Sequence, residues 1–82
     1  MRNRLPLPVA TIKELHKLRE IHKENLWIAN PLNNIMRDLV EYEYMGAIKI
    51  LKMLQTDHPD LMDYNKHIKN ILLAKKRYDD IK

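Results

Sequence analysis

Cysteine, serine and phenylalanine are absent from this 82-residue sequence, and glycine occurs once, at Gly46. Each absence excludes something. Without cysteine, neither a disulfide nor a thiolate metal site can hold a small chain together. Without cysteine or serine, only Thr11 and Thr56 remain as hydroxyl nucleophiles, and neither has an evident base beside it. A single glycine rules out a Gly-rich phosphate loop. It also argues against an all-β chain, which needs frequent turns. No apolar run approaches the ~20 residues of a membrane span. The start, MRNRLPLPVA, has two arginines but only a short apolar stretch, broken by Pro6 and Pro8, which makes a poor signal peptide. The expectation is a soluble, cytoplasmic, non-enzymatic protein without cofactor and without membrane insertion.

What is present is helical patterning with proline punctuation. Thr11-Ile12-Lys13-Glu14 fits a capping box, with the Thr11 hydroxyl accepting from Glu14 N–H and the Glu14 carboxylate reaching back. Ile12, Leu15, Leu18, Ile21, Asn25 and Ile28 then recur at three- and four-residue spacing, one face of a helix over about 12–29. Asn30-Pro31 reads as a cap followed by a first helical residue, opening a second helix over 31–55. Its stripe is Leu32, Ile35, Leu39, Tyr42, Gly46, Ile50 and Met53, widened by Met36, Val40, Ala47, Leu51 and Leu54. Gly46 could allow a close helix crossing. TDHPD repeats the logic at Pro59 and starts a third helix over 59–78, faced by Leu61, Tyr64, Ile68, Ile71, Leu72 and Tyr78. Residues 1–10 read as an extended arm and DDIK as a fraying end. One domain spanning 1–82, an all-α three-helix bundle, follows from connections this short. A chain of this size buries a modest core, so self-association or a partner is a natural support.

The formal net charge of +4 is patterned. Residues 1–30 hold six basic and three acidic groups, 31–60 three and five, and 61–82 six and three. Alternating sign favours a solvated, self-packing surface over a nucleic-acid footprint, which concentrates one sign. The alternative, a small basic nucleic-acid-associated protein, would use Arg2, Arg4, Lys66, Lys69, Lys75, Lys76 and Arg77.

His16/Glu20 and Asp63/His67 are spaced four apart, but no His-x-x-x-His pattern accompanies them. They read as surface ion pairs rather than metal ligands. The aromatics are more informative. Trp27, Tyr42, Tyr44 and Tyr78 are large and amphipathic, the type enriched at protein interfaces. Two residues apart is ~200° around a helix, so Tyr42 and Tyr44 should face different ways. Of the neighbours Trp27 and Ile28, one should lean outward. These four, with Arg37 and Lys52 as rim contacts, are the candidate partner-binding residues.

Two resemblances add to this. Ala47, Leu51, Leu54 and Pro59 are offset by four, three and five, which resembles the second half of a tetratricopeptide repeat. Pro31, Asn34, Ile35 and Asp38 depart from that family's first-helix pattern, so the likeness implies a helix–turn–helix packing rather than a repeat array. Small size, a Lys/Ile/Asn-rich composition and short proline-capped helices together resemble the cytoplasmic antiholins, lysis-inhibition accessory proteins of T-even bacteriophages. That resemblance implies a regulator that binds the cytosolic part of a holin and delays membrane-hole formation. It rests on no motif and assigns no residue.

Overall fold

In a computed structural model, residues 6–81 are described, and they form four helices and no strands. These are α1 (Val9–Ile21), α2 (Leu26–Val40), α3 (Tyr44–Asp57) and α4 (Tyr64–Ile81). The all-α class expected from the sequence holds, with four helices in place of three. Each helix packs on its predecessor, α2 on α3 most extensively, and α1 closes against α4. The ensemble measures 41 × 22 × 17 Å.

All three connections between helices differ from expectation, each for a local reason. The first expected helix is broken at residues 22–25. His22 N–H closes α1 on Leu18 O at 3.0 Å, and Asn25 N–H turns back to His22 O at 2.9 Å. The Asn25 side chain then accepts from Trp27 N–H at 3.2 Å, so Asn25 is the true cap of α2. Asn30 and Pro31 lie inside that helix. Proline there removes the bond to the carbonyl four residues back, that of Trp27.

The second break is at 41–43. Tyr42 N–H bonds Leu39 O at 3.1 Å and Glu43 N–H bonds Asp38 O at 2.7 Å. That pair of bonds is the Schellman ending of a helix, which requires a left-handed residue. Tyr42 supplies it, with φ of 62°. The position usually belongs to glycine, so sequence reading carried one helix straight through it.

The third start is at Asp63, whose carboxylate accepts from Lys66 N–H at 3.2 Å. Pro59 sits in the connecting turn instead. The Tyr64 hydroxyl reaches back to the end of α3, at 2.5 Å from His58 O and 3.3 Å from Leu54 O. Helix α4 continues through Asp79-Asp80-Ile81 rather than fraying at DDIK; Lys82 lies outside the described residues. Of the expected arm, residues 6–8 are non-helical and 9–10 already belong to α1, while residues 1–5 are outside the description.

The core is built from Leu15, Leu32, Ile35, Leu39, Leu51 and Ile71, all fully buried. The Thr11 capping box does not form. Because α1 begins at Val9, Thr11 is a buried helical residue, and its hydroxyl lies 3.0 Å from His67 Nδ1 and accepts from Asn70 Nδ2 at 3.1 Å. His67 is therefore buried against α1 rather than paired at the surface with Asp63. Glu20 likewise pairs with Arg19, at 3.1 Å, and not with His16. Gly46 does mark a close approach: a Cβ there would stand 2.9 Å from Asp38 Oδ2. That carboxylate lies over the first turn of α3, where the helix dipole favours negative charge.

Candidate functional site

The buried side of α2 is Ile28, Ala29, Leu32, Ile35 and Leu39. That face is centred between Ile28 and Ala29, and at ~100° per residue Trp27 lies well over ~100° from its centre, so Trp27 leaves the core. It is 84 % exposed, beside Leu26 at 61 %. On α3 the buried set is Tyr44, Ala47, Ile48, Leu51 and Leu54. The break at Tyr42 re-phases this helix, turning Met53 outward at 62 % exposure and leaving Ile50 half-buried. A groove of about 350 Å³ results, lined by Leu26, Trp27 and Pro31 of α2 and by Ile50 and Met53 of α3, with Asn30 and Asn34 as its polar residues.

The expected interface residues fall into two groups. Trp27 belongs to the groove. Arg37 is exposed one turn beyond Asn34, and Lys52 is exposed next to Met53, so both can serve as charged rim. The tyrosines are elsewhere and are brought together. Tyr42 stacks on Tyr78 with centroids 5.6 Å apart and planes 22° apart. Tyr44 meets Tyr78 edge-on at 5.6 Å and Tyr42 at 6.4 Å. Tyr44 is buried, and its hydroxyl donates to Pro6 O at 2.7 Å. Burial, together with Tyr42, Tyr78 and Asp79 nearby, raises its pKa. The expectation that Tyr42 and Tyr44 face apart fails because Tyr42 is not helical: its left-handed backbone swings both rings to the same side.

Leu26, Pro31, Ile50 and Met53 were missed as groove residues. A single unbroken stripe assigned Ile50 and Met53 to the core. The available signal was the run Leu26-Trp27-Ile28, three consecutive large apolar residues of which one face can bury only some.

The remaining polar cluster, Thr11 with His67 and Asn70, joins α1 to α4. Burial, the largest influence on His67, holds its pKa below the ordinary value, while Glu14 and Asp63 pull it up and Lys66 pushes it down. Its partner Thr11 has no exposed surface. Among the described residues no group of three or more His, Asp or Glu side chains is arranged to hold a metal ion, and no helix is long and apolar enough to cross a membrane. Of the cations named for a nucleic-acid surface, Lys66, Lys69, Lys76 and Arg77 are exposed on α4, Lys75 is tied to Asp79 at 2.7 Å, and Arg2 and Arg4 lie outside the described residues. No protein family, curated protein or solved structure matches the chain.

Proposed function

We propose that this protein is a non-enzymatic helical module that holds an amphipathic helix of a protein partner in the groove between α2 and α3. The observation that carries the reading is Trp27, 84 % exposed beside Leu26 at 61 % and Met53 at 62 %. Contiguous exposed apolar surface of this kind marks interaction sites, and a helix laid in a groove reads such anchors at three- and four-residue spacing. The exposed cations Arg37, Lys49 and Lys52 on the adjoining turns suit an occupant with acidic residues flanking its apolar stripe. The specific form of this proposal, taken from the antiholin resemblance, is a holin's cytosolic segment as the occupant. A second copy of this chain is the competing one.

Trp27 is the sole tryptophan, so its fluorescence reports on the groove alone. Titration with a synthetic amphipathic helix bearing leucines on one face and glutamates beside them is expected to shift its emission to the blue and to saturate. Replacing Trp27 by alanine is expected to weaken binding, measured calorimetrically, by ~30-fold, the effect of losing an anchor worth about 2 kcal/mol. No saturable shift with this peptide or with a holin segment defeats the proposal. A concentration-dependent blue shift of the protein alone assigns the groove to self-association.

A further inference from the structure

The outward side of α4 is a second surface, independent of the groove. At ~100° per residue, Lys66, Lys69, Leu72, Leu73, Lys76 and Arg77 fall within an arc of about 140°, opposite the buried Tyr64, His67, Ile71 and Ala74. All six are exposed, Leu72 by 46 % and Leu73 by 50 %. Val9, also exposed, lines a shallow groove together with Leu73 and Arg77. The four cations are within ~17 Å along the helix, and like charges so close on one face repel.

Among the described residues none of the four is in a salt bridge, although Glu14 and Asp63 line a pocket together with Lys66. The ion pairs among the described residues are Arg19–Glu20 and Lys75–Asp79, which leaves Asp80 as the one carboxylate in the arc, at its C-terminal end. The surface therefore asks for an anionic counter-surface that also accepts apolar side chains. A nucleic acid fits this poorly. The arc has no aromatic ring on which a base could stack. Two leucines stand where a groove-reading helix would carry hydrogen-bonding groups.

We infer that this face of α4 seats the protein on an anionic lipid surface. Lys66, Lys69, Lys76 and Arg77 meet the headgroup phosphates and carboxylates, and Leu72, Leu73 and Val9 enter the headgroup–acyl boundary. Cationic flanks around shallow apolar side chains are the recognised means of lying on a bilayer without crossing it. Helices α2 and α4 make no close approach to each other, so the groove beside Trp27 stays open when α4 faces the membrane.

The test is flotation of the full chain with phosphatidylcholine vesicles, with and without phosphatidylserine. Binding is expected only with phosphatidylserine and should fall steeply with added salt, since surface attraction decays within a Debye length. Each cation removed should weaken binding about fivefold, so K69Q/K76Q is expected to lose about 25-fold and K69E/K76E to abolish binding. Leu72→Asn with Leu73→Asn should reduce binding at a temperature where circular dichroism shows the variant still folded, although its melting temperature falls because both side chains are half-buried. Binding that ignores phosphatidylserine, survives K69E/K76E, or is unchanged by the leucine pair overturns the inference. So does tight binding to duplex DNA with none to vesicles.

Discussion

Tyr42 offers the sharpest test of how the second and third helices are separated. Its left-handed φ of 62° costs a non-glycine residue roughly 1–2 kcal/mol. The cost is offset by the stack on Tyr78 and the tilted contact with Tyr44, aromatic pairs worth about 0.5–1.5 kcal/mol each beyond area burial. Replacement by alanine keeps the strain and loses both rings, an expected loss of about 2–3 kcal/mol for a half-buried aromatic, somewhat less than the fully buried case. Replacement by glycine loses the same contacts but relieves the strain. Glycine's greater unfolded-state freedom takes back about 0.4–1 kcal/mol. Tyr42→Gly should therefore be more stable than Tyr42→Ala by about 0.5–1 kcal/mol, although both fall below the wild type. Within a helix the order would be reversed by ~1 kcal/mol. For a domain this small the difference is about 2–8 °C in melting temperature, readable by circular dichroism at 222 nm. If alanine equals or exceeds glycine, Tyr42 is helical, α2 and α3 are one helix, and the re-phasing that opens the groove is refuted.

Three further outcomes follow from the same packing. Thr11→Val should destabilise by about 1–3 kcal/mol in urea titration, because it strands the buried His67 Nδ1 and the Asn70 amide; an unchanged midpoint would dismiss the network. His67 is held neutral by burial, so its folded pKa lies below the unfolded value of about 6.5. Above that value its contribution is fully present. As pH falls through it the unfolded chain takes up the proton first, and stability is lost down to the folded pKa. His67→Gln should flatten that part of the urea midpoint-against-pH curve, and a slope identical to wild type counts against a buried neutral imidazole. Trp27→Ala should leave the melting temperature nearly unchanged, since so exposed a side chain contributes little to the core; a drop of several degrees would place Trp27 inside the fold.

Much of the core was legible from spacing alone. Leu15, Leu32, Ile35, Leu39, Leu51 and Ile71 all lie on the expected apolar stripes and are all fully buried. The helix count was not, because the two decisive breaks carry weak local signals. Tyr42 occupies a position that glycine normally announces, and its stabilisation comes from Tyr78, distant in sequence. Asn25 is a good cap, but Pro31 six residues later advertises a helix start more loudly. The error at Tyr42 propagated: with α2 and α3 read as one rod, Ile50 and Met53 fell on the core side. Trp27 was legible through its neighbour, since Ile28 and Trp27 could not both face inward. Thr11 and His67 were read from local spacing as a cap and a surface pair, whereas their mutual contact spans 56 positions, which no local pattern encodes.

Pro31 has a consequence for how α2 comes apart. With no N–H at that position, the backbone ladder of α2 lacks the bond to Trp27 O, and Trp27 is held by the Asn25 cap and by the turn that carries the buried Ile28 and Ala29. The helix is thus less firmly tied at its start than along the rest of its length. The end of the helix before Pro31 can fray at a free energy below that of global unfolding. In amide hydrogen exchange Trp27, Ile28 and Ala29, whose N–H groups bond only to the cap residue Asn25, should consequently lose their protons before the segment that carries Leu32, Ile35 and Leu39. Trp27, itself outside the core, then sits on the end of the helix that can adjust to an occupant.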